Sequence, residues 1–284
     1  MRVTVIGAAN ADILAKSACR IIHGDSNPAE VIITPGGVAL NIAVNLSRLG
    51  AEVGFITAVG ADPLGAFLRE RCETCGINTG AWIVRENMST GVYAAALDHD
   101  GELYAGFNAM AVLESIIPCD LVPFGDIIRR ADLLVVDANL TVDALGAIMG
   151  LRGARAVMAD AVSVAKAPRL NSFLPQIAIL KLNHAEAQRL TGFTADSDDG
   201  SKLACADLVS RGAGRVFITL GAQGVCAADS GGAIFVPAAP VPVSNVTGAG
   251  DAFAAGVALK FHEDLKTQAE YGAELAAEHL AHTF

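Results

Sequence analysis

Six short apolar, β-branched runs recur along the chain, at 3–6, 53–59, 133–136, 156–159, 177–180 and 216–220, with helical patterns between them. Strands that alternate with helices in this way predict an α/β fold, a mostly parallel sheet with helices covering both of its faces. The best-marked helix follows Pro35-Gly36-Gly37, where Val38, Ile42, Leu46 and Leu49 fall on one stripe and Gly50 closes it.

Two segments break the rhythm. Positions 13–33 read as strand, loop and strand, with Gly24-Asp25-Ser26-Asn27-Pro28 as the turn. Positions 90–107 read as a hairpin with Asp98-His99-Asp100-Gly101 at its tip, and Asp-Gly is a strong local signal for such a turn. Both are expected to form a small β-strand lid, segments 12–35 and 88–108, emerging from a single α/β domain that spans 1–284. No repeat or low-complexity linker divides the chain.

Composition narrows the function. With 284 residues, 52% of them hydrophobic, the chain can bury a large core. A net charge of −10 with no basic run argues against nucleic acid or an anionic membrane as partner. No apolar stretch approaches 18 uninterrupted residues, and the first seven residues read as a buried strand ending at Gly7 rather than a signal peptide. The expected location is the cytoplasm. Cys72 and Cys75 form a C-x-x-C, yet no second pair or histidine cluster completes a zinc site.

The segment Asn245-Val-Thr-Gly-Ala-Gly-Asp251-Ala-Phe-Ala-Ala-Gly256 carries the most chemistry. Backbone N–H groups at a helix start lack intrahelical partners and sit at the positive end of the dipole, so they attract anions. Gly248 and Gly250 let that backbone come close to a phosphate, and Asp251 is placed to take a proton from a hydroxyl. The same residues also suit a tight turn with Asp251 as a helix cap.

Four further features accompany it. Asn10-Ala-Asp12 follows the first strand, at the sheet edge where α/β proteins bind ligands, and a carboxylate there can accept bonds from vicinal hydroxyls. Gly36 and Gly37 lead into a helix that carries Asn41. Asn183 and Glu186 lie three apart, within reach of one ligand from a helix's first turn, or equally as an N-cap and its N3 partner. Thr219-Leu-Gly221-Ala-Gln-Gly224 forms a glycine turn after a strand and matches neither a P-loop nor a dinucleotide fingerprint.

Taken in this order and spacing, Asn183-x-x-Glu186 with Gly248-Ala249-Gly250-Asp251 resembles the ribokinase-like (PfkB) family of sugar and nucleoside kinases over nearly the whole chain. The resemblance implies an ATP-dependent kinase with Asp251 as catalytic base and Thr247, Gly248, Ala249 and Gly250 around an anion hole. It assigns Asn183 and Glu186 to phosphate and Mg²⁺, with Glu186 acting through water, and Thr219, Gly221 and Gly224 to ATP. It assigns Asp12, Gly36, Gly37 and Asn41 to sugar hydroxyls. Asp251 is expected to need no raised pKa, because a helix start favours the ionised carboxylate.

Within the family, Asp25-Ser26-Asn27-Pro28, the stretch 34–45, Asp137-Ala-Asn139-Leu140 and Asp160-Ala-Val-Ser-Val-Ala-Lys166 are more similar to pseudouridine kinases than to ribokinases or fructokinases. That likeness implies phosphorylation of the 5′-hydroxyl of pseudouridine, with Asn10, Ser26, Asn139 and Lys166 serving the mixed donors and acceptors of the base. Ribose, another nucleoside or a ketose are the competing acceptors, and a nucleoside-binding relative without catalysis is the competing role. The chain ends at Phe284, 28 residues after Gly256, earlier than the family usually does, so potassium activation is not expected. A homodimer formed through the lid is expected from the family.

Overall fold

The computed structural model describes residues 1–242 and 247–281. Its strands are β1 (Arg2–Ile6), β2 (Asn10–Ser17), β3 (Ala29–Gly36), β4 (Glu52–Ile56), β5 (Ala58–Gly60), β6 (Ile83–Arg85) and β7 (Val92–Leu97). They continue with β8 (Leu103–Ala109), β9 (Leu133–Asp137), β10 (Ala156–Asp160), β11 (Ile179–Asn183), β12 (Arg215–Thr219), β13 (Gly224–Asp229) and β14 (Gly232–Pro237). The helices are α1 (Val38–Arg48), α2 (Pro63–Thr74), α3 (Ala111–Glu114), α4 (Pro118–Leu121) and α5 (Gly125–Arg130). After them come α6 (Val142–Leu151), α7 (His184–Thr191), α8 (Asp198–Ser210), α9 (Ala249–Leu259) and α10 (Leu265–Ala281).

The main sheet has the order β14-β13-β12-β11-β10-β9-β1-β4. Its six strands from β12 to β4 are parallel, while β13 and β14 close one edge as an antiparallel pair. Because the strands are buried on both faces, their side chains feed two cores by alternation. On one face Val135, Met158, Ile179 and Phe217 pack against α1, α2, α9 and α10. On the other Val136, Ala159, Leu180 and Ile218 pack against residues of α4 to α8.

Three features depart from the sequence pattern. The apolar run 53–59 is two strands, because the chain turns at Thr57 and β5 leaves the main sheet to pair with β6. The run 177–180 gives a strand only from Ile179, and that strand continues through Lys181 to Asn183. The antiparallel pair β13–β14, which the apolar runs do not predict, follows the glycine turn at Gly221.

The two irregular segments meet in a separate four-stranded sheet, order β3-β2-β7-β8. β2 pairs antiparallel with β3 and parallel with β7, so the two hairpins lie side by side. The root of this sheet, Asn10 opposite Gly36, adjoins the carboxyl end of β1. Val31, Ile32 and Ile33 of β3 and Leu103, Tyr104 and Phe107 of β8 are exposed. No helix among the described residues is long and apolar enough to cross a membrane.

Candidate active site

Asp251 lies in the first turn of α9, behind Gly248 at φ 85°. It is only 8% exposed. Packing of α1 on α9 brings Asn41 against it, and the Asn41 side-chain amide donates to Oδ2 across 2.8 Å. Burial pushes the Asp251 pKa up to about 7, Lys181 opposes the shift, and the neighbouring Asp160 adds to it. The expectation of an unshifted carboxylate is therefore corrected. Loss of water outweighs the attraction of a helix start once the group sits between two packed helices.

Three further charges stand in a row beside it. Asp137 ends β9, Asp160 ends β10, and Lys181 lies in β11, and the parallel register places Asp160 opposite both others. Lys181 Nζ is 2.9 Å from Asp160 Oδ2. Burial alone would lower the Lys181 pKa, but Asp160, Asp251 and Glu186 overcome it and raise it, so the amine stays protonated. A methyl group built on Gly250 would stand 3.1 Å from Lys181 Nζ, so the ammonium abuts the glycine turn itself.

None of these three charges was singled out as a site residue, although a signal was present. Lysine and aspartate are rarely buried without a partner. Leu-Leu-Val-Val-Asp137, Val-Met-Ala-Asp160 and Ile-Leu-Lys181-Leu each carry one inside or at the end of an apolar strand.

Asp137 is fully buried and organises the carboxyl ends of the strands. Its Oδ2 accepts from the backbone N–H of Ala8 at 3.0 Å and of Ala39 at 3.3 Å. The Asn139 N–H donates to Oδ1 and the Asn139 amide to Oδ2, each at 3.0 Å. Lys166 then donates to Asn139 Oδ1 at 2.5 Å, and burial lowers the Lys166 pKa. Asn139 and Lys166, two of the residues expected to meet the base, thus lie hydrogen-bonded to each other.

Asn10, Asp12, Gly36 and Gly37 form a second group. Asn10 donates to Asp12 Oδ1 at 2.6 Å. A Cβ on Gly36 would fall 2.2 Å from Asp12 Oδ2, and one on Gly37 would fall 2.5 Å from the Ala8 carbonyl. Gly37 also has φ 105°, so glycine is required there by conformation as well as by space. Desolvation raises the Asp12 pKa despite the bond from Asn10.

Other expected residues take different places. Asn41 is committed to Asp251 rather than to the Asp12 group. Ser26 is exposed on the turn beyond Ser17 and Ala29, at the opposite end of the β2–β3 hairpin from Asn10. At roughly 3.4 Å per residue the intervening strand separates them by on the order of 20 Å, so Ser26 does not join the cluster. Asn183 and Glu186 form a reciprocal capping box: the Asn183 side chain accepts from Glu186 N at 2.9 Å, and Glu186 Oε2 accepts from Asn183 N at 2.8 Å.

Thr219 donates its hydroxyl to the Leu182 carbonyl at 3.3 Å. Gly221 has φ 58° and open space about it. Gly224 is demanded by the sheet, since a Cβ there would sit 2.1 Å from the Val236 carbonyl across the β13–β14 pair. Thr247 offers its carbonyl to His279 Nε2 at 2.9 Å. Asn245 and Phe284 lie outside the described residues.

The surroundings fit a magnesium–nucleotide. Asp137, Asp160, Glu186 and Asp251 are all buried, with the amines of Lys181 and Lys166 beside Asp160 and Asn139. Carboxyl oxygens, reached directly or through water, are the ligands that Mg²⁺ accepts, and a bound cation would favour their ionised forms. Glu186, whose pKa burial and Asp160 raise, lies in the first turn of α7, the helix that directly follows Lys181's strand.

Comparison with known proteins gives the same architecture. A family model described as "pfkB family carbohydrate kinase" matches residues 1–283. A pseudouridine kinase of Escherichia coli K12 is 34% identical over 257 residues, covering 90% of this chain and 82% of that protein. A ribokinase of Staphylococcus aureus is 28% identical over 223 residues, covering 77% of this chain and 71% of its own. A solved carbohydrate kinase from Agrobacterium tumefaciens superposes with a TM-score of 0.87 at 32% identity, covering 98% of this chain and 90% of that one. The central sheet, its two helical layers and the second sheet are those of a ribokinase-like α/β fold.

Proposed function

The chain belongs to the pfkB family of carbohydrate kinases, and on that premise we propose that it transfers the γ-phosphoryl of ATP to the 5′-hydroxyl of pseudouridine. The observation that carries the reading is the joint placement of Asp251 behind the Gly248 turn and of the Asn139–Lys166 pair at the carboxyl ends of neighbouring strands. The first serves phosphoryl transfer to an alcohol. The second offers an amide and an ammonium to a base that displays two N–H groups and two carbonyls. The 34% identity to a pseudouridine kinase supports the same acceptor.

In this reading Asp12 and Asn10, with the open backbone at Gly36 and Gly37, hold the sugar hydroxyls. Asp251 takes the proton of the attacking hydroxyl, and a pKa of about 7 suits a base working near neutral pH. The N–H groups of Ala249 and Gly250, with no intrahelical acceptor, face the transferring phosphoryl across the Gly248 turn. The transition state is loose, so stabilising its oxygens and aligning donor and acceptor supply most of the rate. Thr219, Gly221, Gly224, Thr247 and Asn183 serve ATP, and Glu186 holds Mg²⁺ through water. Bound Mg²⁺ neutralises charge on the nucleotide's phosphates.

The four-stranded sheet acts as a lid over the acceptor, excluding water that would otherwise hydrolyse ATP. Its exposed β3 residues Val31, Ile32 and Ile33 support a homodimer formed through that lid.

A coupled assay with Mg²⁺·ATP over pseudouridine, uridine, ribose and fructose tests the assignment. Turnover highest on pseudouridine is the expected result. Highest turnover on ribose or fructose would keep the kinase and discard the acceptor. Binding of pseudouridine without turnover on any acceptor would make the protein a non-catalytic relative.

A further inference from the structure

We propose that Lys181 is a catalytic residue whose ammonium contacts the γ-phosphoryl group during its transfer. The proposal rests on the kinase reading above but not on the identity of the acceptor.

Lys181 reaches the site from β11, a different element from α9, which carries the base and the glycine turn. Its amine stands within 3.1 Å of where a Cβ on Gly250 would be, so the absence of a side chain at Gly250 is what admits it. The two elements therefore bring a fixed positive charge and the first N–H groups of α9 to one place. A protonated amine beside a glycine turn adds its positive charge to the N–H groups that an anion would meet there. For packing alone, an apolar residue at this strand position would cost less, because buried ion pairs recover little net stability.

The amine is also held rather than free. Asp160 Oδ2 lies 2.9 Å from it, while Asp160 Oδ1 accepts from the backbone N–H of Val162 at 2.8 Å. Val162 has φ 66°, a conformation that is strained for a β-branched residue. The Ser163 N–H bonds the Ala161 carbonyl at 2.7 Å across it, closing a γ-turn. A strained turn thus aims Val162 N at one oxygen of Asp160, leaving the other directed at Lys181. Strain of this kind persists where surrounding structure fixes a group's position.

In the transfer step the acceptor oxygen forms a bond to the γ-phosphorus, and the bond from that phosphorus to the β–γ bridging oxygen breaks. The electron pair leaves with ADP, and the hydroxyl proton goes to Asp251. Lys181 stays protonated throughout and donates hydrogen bonds to the non-bridging γ-oxygens as they accept charge. A fixed donor in a dry site stabilises such charge without reorganisation. Here a strand lysine fills the place that a glycine-loop lysine fills in P-loop enzymes.

The test compares wild type, Lys181→Met and Lys181→Met/Asp160→Asn, the last removing the orphaned carboxylate charge. Calorimetric affinities for Mg²⁺·ATP and Mg²⁺·ADP are measured beside kcat and KM with the best acceptor. The expected result is a kcat at least about a hundredfold lower in both variants at unchanged acceptor KM, from loss of a transition-state donor. The preference for ATP over ADP should fall about tenfold or more in both. Wild-type kcat and ATP preference in the double variant would overturn the proposal and leave Lys181 as a structural counter-ion to Asp160. Equal affinity of the wild type for ATP and ADP would overturn it as well. If wild type phosphorylates no acceptor, the acceptor assignment fails, while the ATP and ADP affinities still decide the role of Lys181.

Discussion

Asn41 of α1 donates its side-chain amide to Asp251 of α9 at 2.8 Å, joining residues 210 positions apart. The bond fixes one carboxylate oxygen of Asp251. It also favours the ionised form, against the larger effect of burial.

The first prediction concerns pH. With Asp251 at about 7, kcat/KM should rise as pH increases through that value and level off above it, because in the proposed transfer the carboxylate accepts the hydroxyl proton. Asn41→Ala removes a bond to the charged form, so the rising limb should move to higher pH, and the rate at pH 7 should fall about tenfold. A pH–rate profile from 5.5 to 9 reads both. A limb near pH 4 in the wild type would contradict the assignment of the base.

Replacing the base separates function from stability. Asp251→Asn should abolish turnover while leaving nucleotide affinity near wild type. The folded pKa of about 7 lies above the ordinary 3.8, so the folded state binds the Asp251 proton more tightly than the unfolded chain does. This group's stabilising contribution is complete below 3.8 and is lost as pH rises through 7. Asparagine carries no such loss, so the Tm of the variant relative to wild type should climb between pH 5 and pH 8. Thermal denaturation at both pH values reads the difference, and a constant gap would place Asp251 in water.

Gly36→Ala would set a methyl group 2.2 Å from Asp12 Oδ2. Asp12 must then shift, and acceptor KM should rise about tenfold or more, with KM for ATP unchanged, because a misplaced contact weakens positioning. Steady-state kinetics varying each substrate in turn checks it. An equal effect on ATP would move the acceptor away from Asp12.

Asp137→Ala strands four donors: the N–H groups of Ala8, Ala39 and Asn139, and the Asn139 amide. Each orphaned buried group costs roughly 1–3 kcal/mol, so a loss of about 3 kcal/mol or more is expected from urea unfolding. Asn139 would also lose its orientation toward Lys166, so the choice among acceptors should relax.

Cysteine reactivity offers an independent check of the fold. Cys19 and Cys119 are exposed, whereas Cys72, Cys205 and Cys226 are buried. Burial pushes the Cys72 thiol up to about 12, the opposite of the low pKa of a redox-active cysteine. A thiol reagent at pH 8 should label Cys19 and Cys119 promptly and Cys72 only on denaturation. Rapid modification of Cys72 would mean that α2 does not pack as described.

Much of the architecture was legible because it repeats a local rule. Alternating apolar runs and helical stripes mark β1, β9, β10 and β12, and the stripe Val38, Ile42, Leu46 marks α1 within a residue of its bounds. The two hairpins were legible from turn chemistry at Gly24–Pro28 and at Asp98–Gly101. The motif at Gly248–Asp251 was legible because a glycine turn, an acid and a small-residue helix are contiguous. Lys181, Asp160 and Asp137 were not, since each looks like an interruption of an apolar strand until parallel register sets the three side by side.

Sequence alone determined the alternation of elements, the family and the glycine-turn motif that ends in Asp251, because those rest on contiguous residues whose spacing has one good physical solution. Only tertiary structure decided how charge is distributed around the base. That packing raises the Asp251 pKa to about 7, brings the Asn41 amide against Asp251, and leaves Ser26 at the far end of its hairpin. The reason is that desolvation and hydrogen bonding depend on what lies within a few ångströms in space, and residues 41, 160, 181 and 251 are neighbours only after the sheet and its helices have packed.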